Sequence, residues 1–217
     1  MTEFLADAKD FLPILISGLW VTIAITLCAL LNSVILGFVW AMLGTSRFAL
    51  LRGASRAVIN TVRGVPILVQ LFYIYFVLPQ LGITLNAFLA GAAGLGLAYS
   101  VYQAENFRAG FASVDRSLIE AAESLGMPHA VIVRRLILPL AIRVILPPFG
   151  NTSIMLLKDS SIASTITVAE LTRQAQLLAV STFKNMTVYT LVALLYLAMS
   201  LPLSFLTRRL ERRFALR

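Results

Sequence analysis

The stretch EAAESLGMPHAVIVRRLILP, residues 120–139, interrupts a chain that is otherwise mostly apolar. It opens on Glu-Ala-Ala, and Gly126 follows after three more residues. Glycine readily takes the left-handed backbone conformation that ends a helix, and a proline such as Pro128 is favoured where the next helix begins. Ser117 and Glu120, three residues apart, form a capping box that predicts a helix start at Leu118. The stretch therefore predicts two short helices that meet at a bend.

The surrounding composition is that of a membrane protein. Of the 217 residues, 59% are hydrophobic and 13% are charged, whereas soluble domains carry about 45–50% apolar and about 25% charged residues. The apolar residues fall into long runs, and residues 11–46 carry no charge at all. The first ten residues lack a basic n-region, so the first run is expected to be a retained span and not a cleaved signal peptide.

These runs predict an all-α membrane protein with five transmembrane helices in a single domain, residues 1–217. A kink is expected at Pro66 in the second helix, and a break at Pro147 and Pro148 in the fourth. Residues 160–184 are too polar for a span and predict a helical segment lying against the bundle. The five spans are expected near residues 14–43, 54–78, 85–102, 141–157 and 188–206.

Small residues recur every four positions in the third predicted helix, as at Ala90, Gly94 and Ala98. Such spacing lets helix backbones approach closely in lipid. It is consistent with tight packing inside one bundle, or with a face turned toward a second copy of the chain.

The basic residues predict the orientation of the chain. The segments after helix 1 and after helix 3, together with the C-terminus, hold 14 of the 18 Lys and Arg residues. Because cytoplasmic segments are enriched in Lys and Arg, the N-terminus is expected outside and the C-terminus in the cytoplasm. The polar stretch between helices 3 and 4 is then cytoplasmic. The net charge of +8 does not indicate nucleic acid binding, because the basic residues flank apolar runs and form no single stripe.

No group of residues in the sequence predicts catalysis or metal binding. His129 has no Cys or carboxylate at ligand spacing, and Glu120 and Glu123 are accompanied by no nucleophile. Cys28 lies in an apolar run and is expected to be inert packing. The chain also lacks the GxxxxGK[ST] motif that holds nucleotide phosphates. The chain is therefore not expected to be an enzyme.

Polar groups at membrane depth are costly and usually functional. Lys158 and Asp159 lie about 21 Å along the helix from Arg143, which places them in or near the outer leaflet if Arg143 is at the cytoplasmic interface. They could receive the ammonium and carboxylate of a substrate, or pair with each other at the interface. The candidates for a substrate path are Arg63, Gln70, Lys158, Asp159 and Glu170.

Several motifs together resemble a known family. Glu120, Ala121, Ala122, Gly126, Leu138 and Pro139 stand at the spacing of the EAA loop of ABC importer permeases. The segments Arg63-Gly64-Val65-Pro66, Lys158-Asp159-Ser160-Ser161 and Ala169-Glu170-Leu171 are similar to those of the polar amino acid permeases within that group. The resemblance extends from helix 1 to the C-terminus.

The resemblance implies a permease subunit of a type I ABC importer for polar amino acids in the bacterial cytoplasmic (inner) membrane. Its partners would be a second permease subunit, identical or similar, two cytoplasmic ATP-binding subunits and a periplasmic or tethered amino acid binding protein. ATP and Mg would be bound by the ATPase subunits, and this chain would hold no cofactor. Contact with the ATPase is expected through Glu120, Ala121, Ala122, Leu125, Gly126 and Pro139.

Two other functions fit a polytopic chain. An ion-gradient-driven secondary amino acid transporter is the first, although such proteins usually show internal repeats and more spans. A membrane-anchored interaction protein that uses its basic C-terminus on anionic lipids is the second. Five spans with a cytoplasmic coupling loop do not suit the first function. The second leaves the paired prolines and the Lys158-Asp159 site unexplained. The identity of the amino acid is left open by the sequence.

Overall fold

The computed structural model describes residues 2–214, and all regular secondary structure within them is helical. The first helix, α1, runs Thr2–Gly44. It begins well before the predicted start at residue 14. Glu3 lies in its first turn, where a negative charge is stabilised by the helix dipole. At 1.5 Å per residue α1 is about 65 Å long, so it extends beyond a hydrocarbon core of about 30 Å.

The second predicted span is not one kinked helix. It consists of α2, Ala49–Gly64, and α3, Ile67–Leu81, whose axes differ by 104°. Val65 at the junction has an extended backbone (φ −107°, ψ 129°), because the ring of a following proline disfavours the helical conformation. The single helix predicted at 54–78 is therefore wrong, although its break was placed at the correct proline.

The central helix, α4, runs Ala87–Ala112, ten residues beyond the predicted end at 102. The Asn86 side chain caps it by accepting a hydrogen bond of 2.8 Å from the backbone N–H of Leu89. Glu105 and Arg108 lie within its last turns and pair with each other at 3.5 Å. The chain therefore remains helical past the point where the sequence turns polar.

Two helices follow α4 at the polar stretch. The short α5 runs Arg116–Ser124, and α6 runs continuously through residues 129–159 as the segments His129–Ile132, Val133–Ile137 and Leu138–Asp159. The break predicted at Pro147 and Pro148 is wrong, since both lie inside the last segment. The φ of proline is already helical, and helices packed among other helices in a membrane tolerate its missing N–H.

The remaining elements are a 3₁₀ helix, Ser160–Ile166, then α7, Leu171–Thr182, and α8, Asn185–Phe214. α7 packs against both α1 and α8. This confirms the helical segment predicted within residues 160–184. α8 extends beyond the predicted 188–206 at both ends, since its C-terminal turns continue into the basic segment.

The helices alternate in direction. Ile25 lies against Gly91 and Asn32 against Gly96, so α1 and α4 run side by side in the same sense. α6 runs in the opposite sense to α4. Its earlier residue Ile145 packs on Gly110 near the end of α4, whereas its last residue, Asp159, bonds to Tyr99, which lies nearer the start of α4. From α2 to α3 the chain also runs in the opposite sense to α4, and α8 runs in the opposite sense to α6.

The core is built around α4. Gly91 and Gly94 are buried, and the side chains of Ile25, Leu71 and Ile74 pack directly on them. A Cβ atom at Gly91 would lie 2.8 Å from Ile25 Cδ1. The small-residue stripe therefore serves close packing inside this bundle.

Two of the described helices are long and apolar enough to cross a membrane, Glu3–Gly44 and Asn185–Arg213, and a third crossing results if Ala49–Gly64 and Ile67–Leu81 are counted together. α4 and α6 do not meet the same criteria. Both are packed in the middle of the bundle, where small and polar side chains face protein and strong hydropathy is not required.

Candidate functional site

Asp115 fixes the start of α5. Its side chain accepts a hydrogen bond of 2.9 Å from the backbone N–H of Ser117, and this bond lowers the pKa of the Asp115 carboxyl below its ordinary value. The capping box predicted at Ser117 and Glu120 is therefore wrong, because an aspartate two residues earlier is an equally strong cap. Glu120 instead pairs with Arg116 at 3.1 Å.

The end of α5 is a Schellman motif. Gly126 has φ +73°, its N–H donates to the carbonyl of Glu123 at 2.9 Å, and the N–H of Met127 donates to the carbonyl of Ala122 at 3.2 Å. These are the two bonds that satisfy carbonyls at a helix C-terminus when the next residue is left-handed. Pro128 then caps the start of α6. The bend predicted between two helices is confirmed, but the second helix is not short, because it continues without a break to Asp159.

One face of α5 is apolar and exposed. Leu118, Ala121 and Leu125 follow each other at helical spacing, and Leu125 is 82% exposed. Ala122 is buried against the chain. Because α5 packs chiefly on the first turns of α6, the other face remains open in this subunit.

Pro139 lies just after an irregular turn of α6. Residues Val133–Ile137 form a π-helical turn, in which the N–H of Leu138 bonds to the carbonyl of Val133. The extra residue accommodates Pro139, which has no N–H to donate and would crowd the carbonyl four residues earlier. An equivalent turn, Tyr73–Val77, precedes Pro79 in α3.

Lys158 and Asp159 do not pair with each other in residues 2–214. Lys158 is exposed at the end of α6. Asp159 is half-buried, and its Oδ2 accepts a hydrogen bond of 2.7 Å from the hydroxyl of Tyr99 on α4. The pairing that the sequence left open is thus absent, and the Asp159 carboxylate is held by a buried tyrosine instead.

Glu170 is fully buried and caps α7. Its carboxylate accepts hydrogen bonds from the backbone N–H groups of Thr172 (2.9 Å) and Arg173 (2.7 Å) and from the hydroxyl of Tyr196 (3.1 Å). The hydroxyl of Thr22 in α1 lies 3.4 Å away. Glu170 therefore ties α7 to α1 and α8, and all these contacts are to protein groups.

Arg63 and Gln70 lie together at the α2–α3 corner. The Gln70 amide donates to the carbonyls of Val62 (2.9 Å) and Val65 (2.8 Å). Arg63 is exposed, with its guanidinium carbon 6.0 Å from the centre of the Tyr102 ring. Both line a cavity of about 260 Å³.

The residues of the 120–139 stretch gather at one end of the bundle. Arg63 and Asp159 are joined through two neighbouring tyrosines, because Arg63 lies over the Tyr102 ring (6.0 Å) and the ring centres of Tyr102 and Tyr99 are 5.8 Å apart. Glu170 instead contacts Thr22 and Tyr196. Sequence reasoning missed Tyr99, although a hydroxyl in an apolar helix is itself a polar group at membrane depth. Within residues 2–214 no group of three or more His, Cys, Asp or Glu side chains is placed to hold a metal ion.

Comparison with known proteins identifies a shared family. Residues 33–216 match the family described as "Binding-protein-dependent transport system inner membrane component". The chain is 36% identical to the probable amino-acid ABC transporter permease protein YckA of Bacillus subtilis over 216 residues, which is 98% of this chain and 96% of the relative. It is 35% identical to the glutamine transport system permease protein GlnP of Escherichia coli, with 93% of each chain covered.

Solved structures agree with the sequence matches. An amino acid ABC transporter crystallised with histidines superposes with a TM-score of 0.88 at 40% identity, covering 97% of this chain and 98% of the other. The inward-facing MetNI methionine ABC transporter has a TM-score of 0.79 at 22% identity, covering 96% and 99%. At that identity the second match speaks for the fold alone.

Proposed function

Because the chain belongs to the family of binding-protein-dependent transport system inner membrane components, and is a permease subunit of an amino acid ABC importer, we propose that it moves polar amino acids inward by coupling to a separate ATPase through residues 120–139. The relatives named for glutamine and L-cystine transport support a polar amino acid as substrate.

The observation that carries the coupling role is the geometry of α5. It is a short helix with a fixed bend at Gly126 and an exposed apolar face that includes Leu125, and it packs on little else than α6. Burying a leucine side chain fully stabilises an interface by about 1.5–3 kcal/mol. A helix of this kind fits a groove on a partner and transmits rigid-body motion, because packed interfaces switch between discrete arrangements.

The basic residues near the helix ends support the orientation that we propose. Arg47 follows the end of α1, Arg108 lies one turn before the end of α4, and α5 and the end of α8 also carry arginines. A Cβ atom built on Gly44 would lie 3.9 Å from Cδ of Arg108, so the ends of α1 and α4 are close together. Together with the alternating helix directions, this supports five spans with the N-terminus outside and the C-terminus in the cytoplasm. α5 is then cytoplasmic.

The partners we propose are those of a type I importer in the bacterial inner membrane. They are a second permease subunit, two ATP-binding subunits that hold ATP and Mg, and a binding protein that delivers the amino acid. Ion-gradient-driven transport is not favoured, since the family is defined by dependence on a binding protein. The third reading, a membrane-anchored interaction protein, leaves the transport family unexplained.

Site-specific cross-linking tests the coupling surface directly. In a Cys28→Ser background, which removes the exposed native cysteine, Leu125→Cys is expected to cross-link to the co-expressed ATPase subunit. Met186→Cys, equally exposed at 87% but at the start of α8, is the matched control and should give no such product. Cross-linking from position 186 and none from 125 would refute the proposed interface, and ATP-independent uptake by the purified complex would refute the importer itself.

A further inference from the structure

An apolar cavity of about 430 Å³ lies between α1, α6 and α8. Its described wall includes Ile23, Leu27, Leu157, Met199, Leu203 and Leu206. Thr26 supplies the one side-chain hydroxyl among the described residues of this wall, and that hydroxyl donates to the carbonyl of Thr22 at 2.7 Å. The wall therefore offers no free side-chain donor to a polar ligand.

The cavity is open at the surface of the subunit. Leu27 and Leu206 in its wall are 60% and 52% exposed, and they belong to the two helices that are long and apolar enough to cross a membrane. An apolar hollow excludes water and takes up an apolar ligand. A water-sized group occupies about 30 Å³, so the cavity has room for roughly a dozen groups the size of a methylene. It therefore suits one acyl chain of a membrane lipid.

The face of α8 that lines the cavity continues into arginines. Met199, Leu203 and Leu206 recur every three or four residues, and the same spacing brings Arg209 and Arg213 onto this face. Arg209 stands about 4.5 Å beyond Leu206 along the helix axis. Both arginines are exposed, and neither is in an ion pair within residues 2–214. An apolar cavity followed by cations on the same face is complementary to a lipid that has an acyl chain and an anionic head group.

The neighbouring charges lie on other sides of α8. Glu211 is about 160° around the helix from both Arg209 and Arg213, and Arg208 is about 150° from the middle of the face that lines the cavity. In α1, residues 11–46 carry no charge. The positive charge of this face is therefore not neutralised by an acidic side chain of α8 or of the apolar run of α1.

We propose that the cavity holds one acyl chain of an anionic phospholipid, and that Arg209 and Arg213 bind the phosphate of this lipid. A guanidinium donates two parallel hydrogen bonds to a phosphate, and basic side chains at a membrane surface attract anionic lipids. The acyl chain fills the gap between α1, α6 and α8, and supplies the packing contacts that the three helices do not make there. The orientation proposed above places the lipid in the cytoplasmic leaflet.

The test measures phospholipid binding to the purified permease–ATPase complex by native mass spectrometry. Phosphatidylglycerol and phosphatidylcholine, both with palmitoyl and oleoyl chains, are titrated separately onto the delipidated complex in detergent. The wild type is expected to bind phosphatidylglycerol about 10-fold or more tightly than phosphatidylcholine, the range of a charge-assisted hydrogen bond. This preference should be reduced in Arg209→Gln and lost when Arg213→Gln is added. Arg208→Gln is the matched control, because it removes the same charge on the other side of α8, and the preference should persist in it.

A second pair of variants tests the acyl chain without changing the charge. Ala198 is exposed and lines the cavity, so the larger side chain of Ala198→Leu occupies part of the space. Binding of both lipids is expected to fall about 10-fold or more, because methylenes of the acyl chain are displaced from the cavity. Ala193→Leu is the control, since Ala193 is an exposed alanine on the opposite side of α8, and it should bind both lipids as the wild type does.

A phosphatidylglycerol preference that survives in the double arginine variant overturns the proposal, as does an equal loss of preference in Arg208→Gln and Arg209→Gln. Unchanged lipid binding in Ala198→Leu also overturns it, since the acyl chain then lies elsewhere. A second permease copy over the cavity would cross-link through Leu206→Cys in the Cys28→Ser background and exclude the lipid, which is a further refutation. Lipid binding is measured without transport, so a failure of ATP-dependent uptake refutes the proposed function and is distinguished from these outcomes.

Discussion

Replacing Gly126 by valine is expected to uncouple ATP hydrolysis from uptake. Gly126 has φ +73°, a conformation that costs a residue with a Cβ about 1–2 kcal/mol. No neighbouring atom lies within 4 Å of the position a Cβ would take, so the effect comes from the backbone and not from a clash. A penalty of this size lowers the population of the bent form by about 5- to 30-fold relative to its alternatives.

The assay is amino acid uptake and ATP hydrolysis measured together in proteoliposomes that contain the ATPase and the binding protein. We expect uptake by Gly126→Val to fall about 5-fold or more, with more ATP hydrolysed per amino acid. Gly126→Asn should retain most uptake, because asparagine visits the left-handed region routinely. Gly53→Ala is the control for loss of a glycine, since Gly53 is exposed inside α2 with no neighbour within 4 Å. Full coupling in the valine variant, or equal damage by asparagine and valine, would show that the bend is not the coupling element.

Three further changes probe the bundle. Asp159→Asn should lower uptake without loss of assembly, because an amide oxygen still accepts the 2.7 Å bond from Tyr99 while the charge is lost. Assembly is checked by size exclusion. Unchanged transport kinetics in this variant would remove Asp159 from the substrate path. Glu170→Ala should destabilise the complex by about 1–3 kcal/mol, since it leaves buried hydrogen-bond donors without an acceptor. An unaltered thermal unfolding temperature would contradict the role of Glu170 in tying α7 to α1 and α8. Gly37→Ala should be destabilising as well, because its Cβ would lie 2.6 Å from the Cβ of Gln103; a stable Gly37→Ala protein would mean that α1 and α4 can separate there.

Local signals predicted the features that arise within a few residues. The helix-breaking pair Val65-Pro66, the left-handed Gly126 and the helix start at Pro128 each depend on backbone sterics at one or two positions, and each stands where the sequence placed it. Local signals failed where several candidates compete. Asp115 outcompeted the predicted cap at Ser117, and the prolines at 147 and 148 are contained in α6 because the packed helix continues through them.

The sequence also did not predict the 104° angle between α2 and α3. A proline predicts a break in a helix but not the angle, which here depends on the Gln70 amide bridging the carbonyls of Val62 and Val65. A merely kinked helix would continue one span past Arg63, whereas the corner places Arg63 and Gln70 on one cavity.

By itself, the sequence of this protein determined its class, the approximate location of its apolar helices and the bend of residues 120–139, because hydropathy and backbone preference are properties of short segments. The tertiary structure alone decided which polar groups meet. Glu170 and Thr22 are 148 residues apart, and Tyr99 and Asp159 are 60 apart. Such contacts depend on the packing of α1, α4, α6 and α7 against one another, since a buried polar group is stable only beside a partner that another helix brings to it.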